Sequence, residues 1–384
     1  MREVLDELVA QWREGKSTAV GTVVSTYRSA PRPAGASMLV TSDERAVGSV
    51  SGGCVEGAVF ELGQQVLAED TPVLQRYGVS DDDAFTVGLT CGGIIDVFVE
   101  KVDPVHFPEL DEVANSVAKK EGVAIATVVA HPDPERVGRR LVVWADRHTG
   151  TLGSARADEA VLEDVRGALA AGRTATLHYG PDGQRRGEGM DVFVNAMQPP
   201  PRMLVFGAID FAAAMARIGV FLGYHVTVCD ARPVFATKSR FPDAHEVVVN
   251  WPHRYLKAEA EAGRIDNRTV ITVLTHDPKF DVPVLVEALK LDLAYLGAMG
   301  SRRTHNDRVR RLREAGVTDE QMAKIASPIG LDLGARTPEE TAVSIAAEVI
   351  SLRWGGAATQ TRLADAEGPI HGANPIAEPE PVKA

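Results

Sequence analysis

The first hundred residues carry short runs rich in apolar and β-branched residues, the pattern of β-strands. A helix precedes them, predicted over Val4–Trp12 from its helical apolar spacing and ended by Gly15. The pattern predicts an α+β domain with its core over residues 1–110, and its strands are Thr18–Val24, Ser37–Thr41, Ala46–Val50, Val73–Val79 and Ile94–Val102.

Residues 111–198 again combine helical segments with short strand-like runs, and we assign them to this first domain as an extension of its sheet. A Pro-Asp-Gly turn at 181–183 predicts a hairpin between two of the strands. After a further helix, the predicted elements are Val123–Ala130, Arg140–Trp144, the helix Asp158–Ala171, Thr174–Tyr179 and Met190–Ala196. Gln198-Pro199-Pro200-Pro201 cannot continue a strand or a helix, so it marks a linker.

Beyond the linker the strands become continuously apolar and alternate with helices. Arg202–Phe206, the helix Phe211–Leu222 and His225–Cys229 begin this series. Strands buried on both faces and separated by helices predict a Rossmann-like, doubly wound parallel sheet over residues 199–356. Thr337 and Glu340 form a capping box for a last helix, Pro338–Arg353, and residues 357–384 are expected to be a flexible tail.

The composition narrows the possible functions. A chain of 384 residues with 45% hydrophobic and 24% charged residues is an ordinary globular protein of two or three domains. A formal net charge of -12 argues against nonspecific binding to nucleic acid or to an anionic membrane surface, so an anionic ligand must be held by local donors. Three cysteines, no signal peptide and no apolar run of membrane-spanning length favour the cytoplasm.

Two glycine-cysteine stretches, Ser51-Gly52-Gly53-Cys54-Val55-Glu56 and Leu89-Thr90-Cys91-Gly92-Gly93, hold two of the three cysteines. Because glycine has no side chain, a bulky group can approach the main chain there, and a thiol beside it is offered to a ligand. Gly53-Cys54 is also expected to open a helix, whose amino terminus lowers a thiol pKa and presents N–H donors to an anion. This pattern suits a soft metal or an anionic, phosphate-bearing cofactor.

Purely structural roles for these stretches stay open at this point. A lone Gly-Gly-Cys is commonly a tight turn with a half-buried thiol, and Cys54 and Cys91 could also form a structural disulfide. A zinc site is less favoured, because neither stretch has the close paired spacing of zinc ligands. Cys229 lies inside a predicted strand and is expected to be buried and inert.

The second domain has the outline of a dinucleotide-binding unit, from Gly207 after the first strand to Asp230 at the end of the second. An acid at that position normally binds a ribose. The glycine fingerprint is incomplete, because Ile209 stands where a second glycine would let a pyrophosphate touch the backbone. Asp210 then places a negative charge at the helix start, where phosphate would bind.

Three further segments of this domain are candidates for ligand binding at the carboxyl edge of the sheet. Thr275-His276-Asp277-Pro278 follows a buried strand, and Ser327-Pro328-Ile329-Gly330 is a loop before the last helix. Gly297-Ala298-Met299-Gly300-Ser301-Arg302-Arg303 combines a turn, a helix start and two guanidinium groups, which fits a phosphate or a carboxylate. The competing interpretations are a capping or core role for His276, and a solvated helix face for the arginines, continuous with Arg308, Arg310 and Arg311.

Together these segments resemble the XdhC/CoxI family, the accessory proteins of xanthine dehydrogenase and related molybdenum hydroxylases. Residues 51–56 and 89–93 are similar to the two signature stretches of its amino-terminal domain, and residues 275–278, 297–303 and 328–341 to the signature of its Rossmann-like domain. The resemblance covers most of the chain. One departure is Gly207-Ala208-Ile209-Asp210, where family members often carry a Gly-Ala-Gly-His type of turn.

The resemblance implies a chaperone that binds molybdenum cofactor (molybdopterin or its dinucleotide form), assists its sulfuration and inserts it into an apo molybdenum hydroxylase. A cysteine desulfurase is the other implied partner, and hydroxylation itself is not expected of such a protein. In such a chaperone Cys54 and Cys91 would contact the molybdenum or its exchangeable sulfur. Glu56 would orient the site or handle protons, and a purely structural cap is the competing role. The residues expected to bind the cofactor are Ser51, Gly52, Gly53, Gly92, Gly93, Gly207, Asp230, His276, Asp277, Gly300, Ser301, Arg302 and Arg303.

Two other functions compete with this hypothesis. The Rossmann-like domain could serve an NAD(P)-dependent oxidoreductase, against which Ile209 and Asp210 weigh. Cys54 and Cys91 could instead form a reversible disulfide in a thiol redox protein. A cleft between the domains is the expected place for a large cofactor, and a homodimer is the expected assembly.

Overall fold

The computed structural model describes residues 1–28, 30–78, 93–275 and 277–354, and the chain divides into two compact units between Pro199 and Pro200. Within these ranges, none of the helices has the length and apolar character that a membrane crossing requires. Residues 357–384, predicted to be a tail, lie outside the described residues, as do Cys91, Gly92 and His276.

The first half of the first unit is an antiparallel sheet with the strand order β3-β2-β1-β5-β4 in the described residues. Its strands are β1 (Thr18–Tyr27), β2 (Ser37–Thr41), β3 (Ala46–Gly48), β4 (Val73–Tyr77) and β5 (Ile94–Val102). Its helices are α1 (Leu5–Arg13) and α2 (Glu56–Glu69). The α+β prediction for this half is confirmed, and most strand bounds agree with the predicted ones within a few residues.

The second half forms a sheet of its own, so the prediction that it extends the first sheet is wrong. Its strand order in the described residues is β8-β7-β6-β10-β9, again antiparallel. The reason is local: β6 finds both of its neighbours, β7 and β10, within this half. The elements are α3 (Leu110–Ala118), β6 (Val123–Ala130), β7 (Arg140–Val143), β8 (His148–Thr151), α4 (Ala155–Ala171), β9 (Ala175–Tyr179) and β10 (Met190–Met197).

The two halves repeat one arrangement of elements. Each has a helix first, then three strands, a second helix and two more strands, and the spatial order of the strands is the same. Gly48 and Gly150 occupy the same place in each, with φ of 88° and 85°. A Cβ atom on either glycine would lie 2.5 or 2.3 Å from a carbonyl oxygen of the neighbouring strand, so both positions require glycine.

The two sheets of this unit pack face to face and each carries a helix on its outer side. Val20 of β1 and Ile125 of β6 lie in one buried cluster between the sheets. Val59 of α2 packs on the outer face of the first sheet, and Val161 of α4 packs on the outer face of the second. Helices α2 and α4 are therefore anchored equivalently, and so are the loops that lead into them.

A buried ion pair crosses between the two sheets. Arg140 donates from Nη2 to Glu100 Oε2 at 2.6 Å, and its guanidinium lies 4.3 Å from the ring centroid of Phe107. Both charged residues are buried, so each depends on the other for its electrostatic compensation.

The second unit is the predicted Rossmann-like domain. Its strands are all parallel in the described residues, in the order β13-β12-β11-β14-β15. They are β11 (Arg202–Phe206), β12 (His225–Asp230), β13 (Glu246–Val249), β14 (Val270–Val273) and β15 (Tyr295–Ala298). The helices are α5 (Asp210–Phe221), α6 (Pro252–Glu261), α7 (Pro278–Ala288), α8 (Arg302–Glu314), α9 (Asp319–Met322) and α10 (Pro338–Trp354).

The capping box predicted for the last helix is confirmed. Glu340 donates its backbone N–H to Thr337 Oγ1 at 3.2 Å, and Glu340 Oε2 accepts from the backbone N–H of Thr337 at 3.1 Å. Pro338 is the first residue of α10, where its missing N–H costs nothing. Local sequence chemistry alone therefore sets the start of this helix.

Candidate functional site

The loop between β3 and α2 is wrapped around the carboxylate of Glu56. Glu56 is the first residue of α2, and its side chain turns back toward the loop that precedes the helix. Its oxygens accept hydrogen bonds from Ser49 Oγ (2.6 Å), Val50 N (3.1 Å), Ser51 N (2.9 Å), Ser51 Oγ (2.6 Å), Gly52 N (3.0 Å), Gly53 N (2.8 Å) and Val55 N (3.2 Å). One side chain therefore fixes the path of the whole loop.

The environment of Glu56 keeps it ionised at neutral pH. Burial opposes ionisation, but the hydrogen bonds from Ser49 and Ser51 outweigh it and lower the pKa of Glu56 to about 2. A carboxylate with so low a pKa does not carry a proton near pH 7. Of the roles predicted for Glu56, the geometry matches the structural cap, and its low pKa argues against handling protons.

The glycines of this loop are needed for its backbone conformation. Gly52 and Gly53 have φ of 82° and 122°, which residues with side chains rarely adopt. Both are exposed, and no heavy atom of the described residues would lie within 4 Å of a Cβ atom on either. Their N–H groups already donate to Glu56.

Cys54 lies at the end of this loop, two residues before the first residue of α2. It is partly exposed, and its backbone N–H donates to Ser51 Oγ at 3.0 Å. The anion bound at this helix start is the protein's own Glu56, so the predicted N–H donors are used to hold the loop.

The second glycine-cysteine stretch falls mostly outside the described residues. Cys91 and Gly92 are among those not described, and Gly93 is buried directly before β5. The described part of the chain holds no group of three or more His, Cys, Asp or Glu side chains that could bind a metal ion.

The second half of the unit contains a counterpart of the Glu56 arrangement. Asp158, in the first turn of α4, accepts from Thr151 Oγ1 and from the backbone N–H of Leu152, each at 2.7 Å. These positions correspond to Glu56, Ser49 and Val50, and Arg156 stands where the first half has Cys54. The counterpart therefore keeps the carboxylate clamp and lacks the thiol.

In this second half, the loop between the last two strands packs against the start of the helix. A Cβ atom on Gly183, in the loop between β9 and β10, would lie 2.8 Å from Ala157 Cα and 3.1 Å from Ala160 Cβ. The close approach requires glycine at 183, whose φ is 81°. The arrangement of the repeat therefore brings the loop between its last two strands against the start of its second helix.

In the Rossmann-like unit, both oxygens of Asp230 are already engaged. Oδ1 accepts from the backbone N–H and Nε of Arg232 at 2.8 and 2.9 Å, and Oδ2 accepts from Ala208 N and Arg232 Nη2 at 2.8 and 2.7 Å. Burial alone would raise the pKa of Asp230, but the hydrogen bonds from Arg232 hold that pKa below its ordinary value. A ribose hydroxyl could bind here only by displacing one of these donors.

The turn after β11 leaves no room for a side chain at Gly207. Gly207 has φ of 114°, and a Cβ atom there would lie 2.6 Å from Thr275 Cγ2. Asp210, the acid at the start of α5, is exposed and pairs with Arg240 Nη2 at 3.4 Å. An arginine therefore offsets the negative charge that the sequence places at this helix start.

The three candidate segments at the carboxyl edge of this sheet converge on one buried arginine, Arg308 of α8. Its Nη1 donates to Ser327 Oγ at 3.0 Å, and its Nη2 donates to Met299 O at 2.5 Å and to Asp281 Oδ2 at 3.1 Å. Asp281 in turn accepts from the hydroxyl of Thr275. Segments separated by tens of residues in the chain are therefore joined through one guanidinium and its carboxylate.

The sequence pattern did not single out Arg308, because it was grouped with the solvated arginines of the same helix. In the structure it is 4% exposed, whereas Arg310 and Arg311 are paired with acids nearer the surface. Helical spacing in the sequence could have identified Arg308 as buried, because it precedes the buried Leu312 by one turn and so lies on the inward face of the helix.

The other predicted residues of these segments lie at helix starts. Ser301 caps α8 by accepting from the backbone N–H of Thr304, and the next two residues, Arg302 and Arg303, are exposed. Asp277 caps α7 and pairs with Lys279 at 2.9 Å, and that ammonium group lowers the pKa of Asp277. His276 lies outside the described residues.

Cys229 is buried in β12 as expected. Burial raises the pKa of its thiol to about 12, which leaves it protonated and unreactive near neutral pH.

Both units match models of known protein families. The model described as the XdhC and CoxI family matches residues 11–78 and 116–180, and the model described as the XdhC Rossmann domain matches residues 203–349. The chain therefore belongs to the XdhC and CoxI family. The two stretches matched by the first model begin within α1 and α3 and end just after β4 and β9, which are corresponding places in the two halves.

Similar proteins extend over nearly the whole chain. A probable xanthine dehydrogenase subunit of Bacillus subtilis is 29% identical, over 91% of this chain and 96% of that protein. The molybdenum cofactor insertion chaperone PaoD of Escherichia coli is 27% identical, over 92% of this chain and 88% of that protein. A crystal structure described as a xanthine dehydrogenase from Bacillus halodurans has a TM-score of 0.67 at 25% identity, covering 91% of this chain and 95% of that one.

Proposed function

We propose that this protein is a chaperone that binds molybdenum cofactor as its cargo, assists its sulfuration and inserts it into an apo molybdenum hydroxylase of the xanthine dehydrogenase type. Similarity to an insertion chaperone over 92% of the chain supports the role of carrier. The observation that carries the proposal is the loop from Ser49 to Gly53, held by Glu56, which places the partly exposed residue Cys54 beside two exposed glycines.

The chemistry of a thiol suits this cargo. Thiolates are preferred ligands of soft, sulfur-rich metal centres, and a carrier must bind such a centre reversibly. Cys54 contacts the molybdenum or its exchangeable sulfur, and Glu56 holds the loop without exchanging a proton. The cofactor's own chemistry is used later, in the recipient enzyme.

We propose that Cys91, which lies outside the described residues, acts together with Cys54. The second half of the unit supports this pairing, because there the loop between the last two strands packs against the start of the helix through Gly183. In the first half, the same two segments of the repeat carry the two cysteines.

The remaining parts of the proposal concern the phosphate end of the cargo and the partners. Arginines at the start of α8 hold a phosphate of the cofactor, since overall charge does not attract it. A cysteine desulfurase supplies the sulfur and the apo hydroxylase receives the cofactor. A homodimer and a cytoplasmic location stay predictions of the sequence.

The proposal is tested by the metal content of the purified protein. In a host that makes molybdenum cofactor, the wild-type chain is expected to copurify with molybdenum and pterin, and Cys54→Ala is expected to lose at least about tenfold of both, because a metal–ligand bond is removed. Molybdenum is measured by elemental analysis and pterin by fluorescence after oxidation.

The repeat offers a matched control. Arg156→Ala changes the corresponding position of the second half, and it is expected to keep the wild-type content of molybdenum and pterin. Equal contents in wild type and Cys54→Ala, or none in either, would refute the proposal.

A further inference from the structure

One side of helix α10 carries apolar side chains that the core of the Rossmann-like unit does not use. On the core side, Ala342 and Ile345 pack into the buried cluster of this unit. Val343 and Ile350 lie on a different side of the helix and are 51% and 43% exposed. Because seven residues are almost two full turns, these two residues and Ala347 between them form one stripe along the helix. Helix α10 therefore has a second apolar stripe besides the one that anchors it.

The neighbouring helix, α5, adds the most exposed large apolar side chain among the described residues. Phe221 is the last residue of α5 and is 85% exposed. The two helices pack against each other, because Ala212 and Met215 of α5 share a buried cluster with Ile345 of α10. Exposed apolar side chains on two packed helices are typical of a surface that binds another protein.

Both helices run from the carboxyl edge of the parallel sheet toward its amino edge. Helix α5 starts after the end of β11 and ends before the start of β12. Helix α10 follows a loop that begins where Ala326 pairs with β15, and Glu348 in its second half accepts from the hydroxyl of Tyr295 at the start of β15. Phe221 and Ile350 therefore lie at the same end of the helix pair. The α5–α10 patch consists of Phe221, Val343, Ala347 and Ile350.

The order of residues in α10 is self-complementary for an antiparallel pair of helices. Val343 and Ile350 are equally far from the midpoint between Ala346 and Ala347. A two-fold axis at this midpoint places Val343 of one copy against the partner's Ile350, and the same contact forms a second time by symmetry. Ala347 lies where the helices cross, and its small side chain allows them to approach closely.

The charges at the ends of α10 fit the same arrangement. Glu339 and Glu340 lie in its first turn, and Arg353 lies in its last turn. An antiparallel pair brings the acidic end of each helix to the basic end of the other, whereas a parallel pair brings like charges together. The helix dipoles are also opposed in the antiparallel pair, which is the favourable orientation. The apolar stripe and the end charges therefore favour the same partner and the same direction.

We infer that the α5–α10 patch is the interface of a two-fold symmetric homodimer in which the two copies of α10 are antiparallel. Such an interface needs one surface that is complementary to itself, which α10 provides through both its apolar and its charged residues. The inference is independent of the proposed cargo. It assigns a definite surface to the homodimer expected from the sequence.

Analytical ultracentrifugation of the full chain measures the dimer and its dissociation constant. The wild type is expected to dimerise. Ile350→Glu is expected to weaken the dimer at least about tenfold, because each dimer would then hold two introduced carboxylates in an apolar contact.

The matched control is Leu352→Glu. Leu352 is 59% exposed in the same turn of α10, but a step of two residues turns the side chain by about 200°, away from the stripe. This variant introduces the same charge on the same helix and is expected to stay within about twofold of the wild-type dissociation constant.

Phe221→Glu is a second disruptive variant, on the other helix of the patch, and is also expected to weaken the dimer at least about tenfold. Melting temperatures of the variants check that the fold is intact. A wild type that stays monomeric at every concentration, wild-type affinity in either disruptive variant, or equal losses in Ile350→Glu and Leu352→Glu would overturn the inference. Cys54→Ala is expected to dimerise like the wild type, so a failure of the carrier proposal leaves the interface standing.

Charge reversal tests the antiparallel direction. Glu339→Arg and Arg353→Glu each place like charges across the interface, so each is expected to weaken the dimer at least about threefold. The variant with both changes restores opposite charges and is expected to return to within about twofold of the wild type. A double variant as weak as the single ones would overturn the antiparallel pairing.

Discussion

Replacement of Arg308 by alanine is expected to lower the unfolding free energy of the Rossmann-like unit by about 4 kcal/mol, the usual cost of breaking a buried ion pair from one side. Asp281 would keep its charge while losing the arginine that compensates it, and both residues are almost fully buried. Met299 O and Ser327 Oγ would lose a donor as well. The substitution is therefore expected to destabilise the three loops that contain Thr275, Met299 and Ser327.

Hydrogen exchange followed by mass spectrometry measures this effect within one unit. Peptides that cover β14, an interior strand of the parallel sheet, are expected to exchange far faster in Arg308→Ala, while peptides that cover β6 in the first unit keep their protection. Arg310→Ala removes an exposed arginine of the same helix. It is expected to change the free energy of opening of β14, measured by hydrogen exchange, by less than about 0.5 kcal/mol. Wild-type protection of β14 in Arg308→Ala would show that the buried ion pair does not hold the loops.

Glu56→Gln is expected to destabilise the first unit by about 3 kcal/mol and to abolish cofactor loading along with it, since charge-assisted hydrogen bonds are the strong ones. A glutamine has the same shape, but its amide nitrogen would replace one of the two oxygens and meet the donors on that side, Ser51 N at Oε1 or Gly53 N at Oε2, with a donor of its own. The loop would lose its shape and Cys54 its fixed position. Urea unfolding and molybdenum content measure the two effects separately.

The effect of Glu56 is expected to depend on pH with a defined sign. Its pKa falls from 4.5 in the unfolded chain to about 2 in the fold, so the stabilisation is fully present above pH 4.5 and is lost as the pH falls toward about 2. The difference in unfolding free energy between wild type and Glu56→Gln is therefore expected to be constant near neutral pH and to shrink through that acidic window. A difference in unfolding free energy that grows on acidification would contradict the stabilising role assigned to the ionised Glu56.

Asp158→Asn is the control for Glu56→Gln. The corresponding carboxylate of the second half accepts from Thr151 and Leu152, whereas Glu56 accepts from donors along the whole loop. Asp158→Asn is expected to cost about 1 kcal/mol and to leave molybdenum loading unchanged. Equal costs for the two substitutions would mean that the extra donors around Glu56 contribute nothing.

Local signals predicted much of the secondary structure. The strands Ser37–Thr41, Ile94–Val102 and Val123–Ala130 have the predicted bounds, because short runs rich in apolar and β-branched residues between turns identify strands without tertiary information. The strand His148–Thr151 was missed. It is short, polar and largely exposed at the edge of its sheet, so it carries no apolar pattern.

The pattern of hydrophobic and polar residues in the sequence does not reveal the repeat within the first unit. Structurally corresponding residues differ, because Arg156 stands in place of the thiol of Cys54 and Asp158 is one methylene shorter than Glu56. What the halves share is backbone geometry, for example the positive φ of Gly48 and Gly150 and the packing of a helix on each sheet. Many sequences satisfy those requirements, so the halves can share a fold without sharing most of their residues.

The sequence by itself determined the two kinds of sheet, the linker between the units, the family resemblance and the thiol between glycines. These are properties of local patterns, which follow from residue type and spacing. The tertiary structure decided that 111–198 forms a second sheet, that Glu56 fills the anion position at its own helix start, and that Arg308 is buried. The physical reason is that strand pairing, hydrogen-bond acceptance and burial depend on which distant residues meet, and a linear pattern does not contain that information.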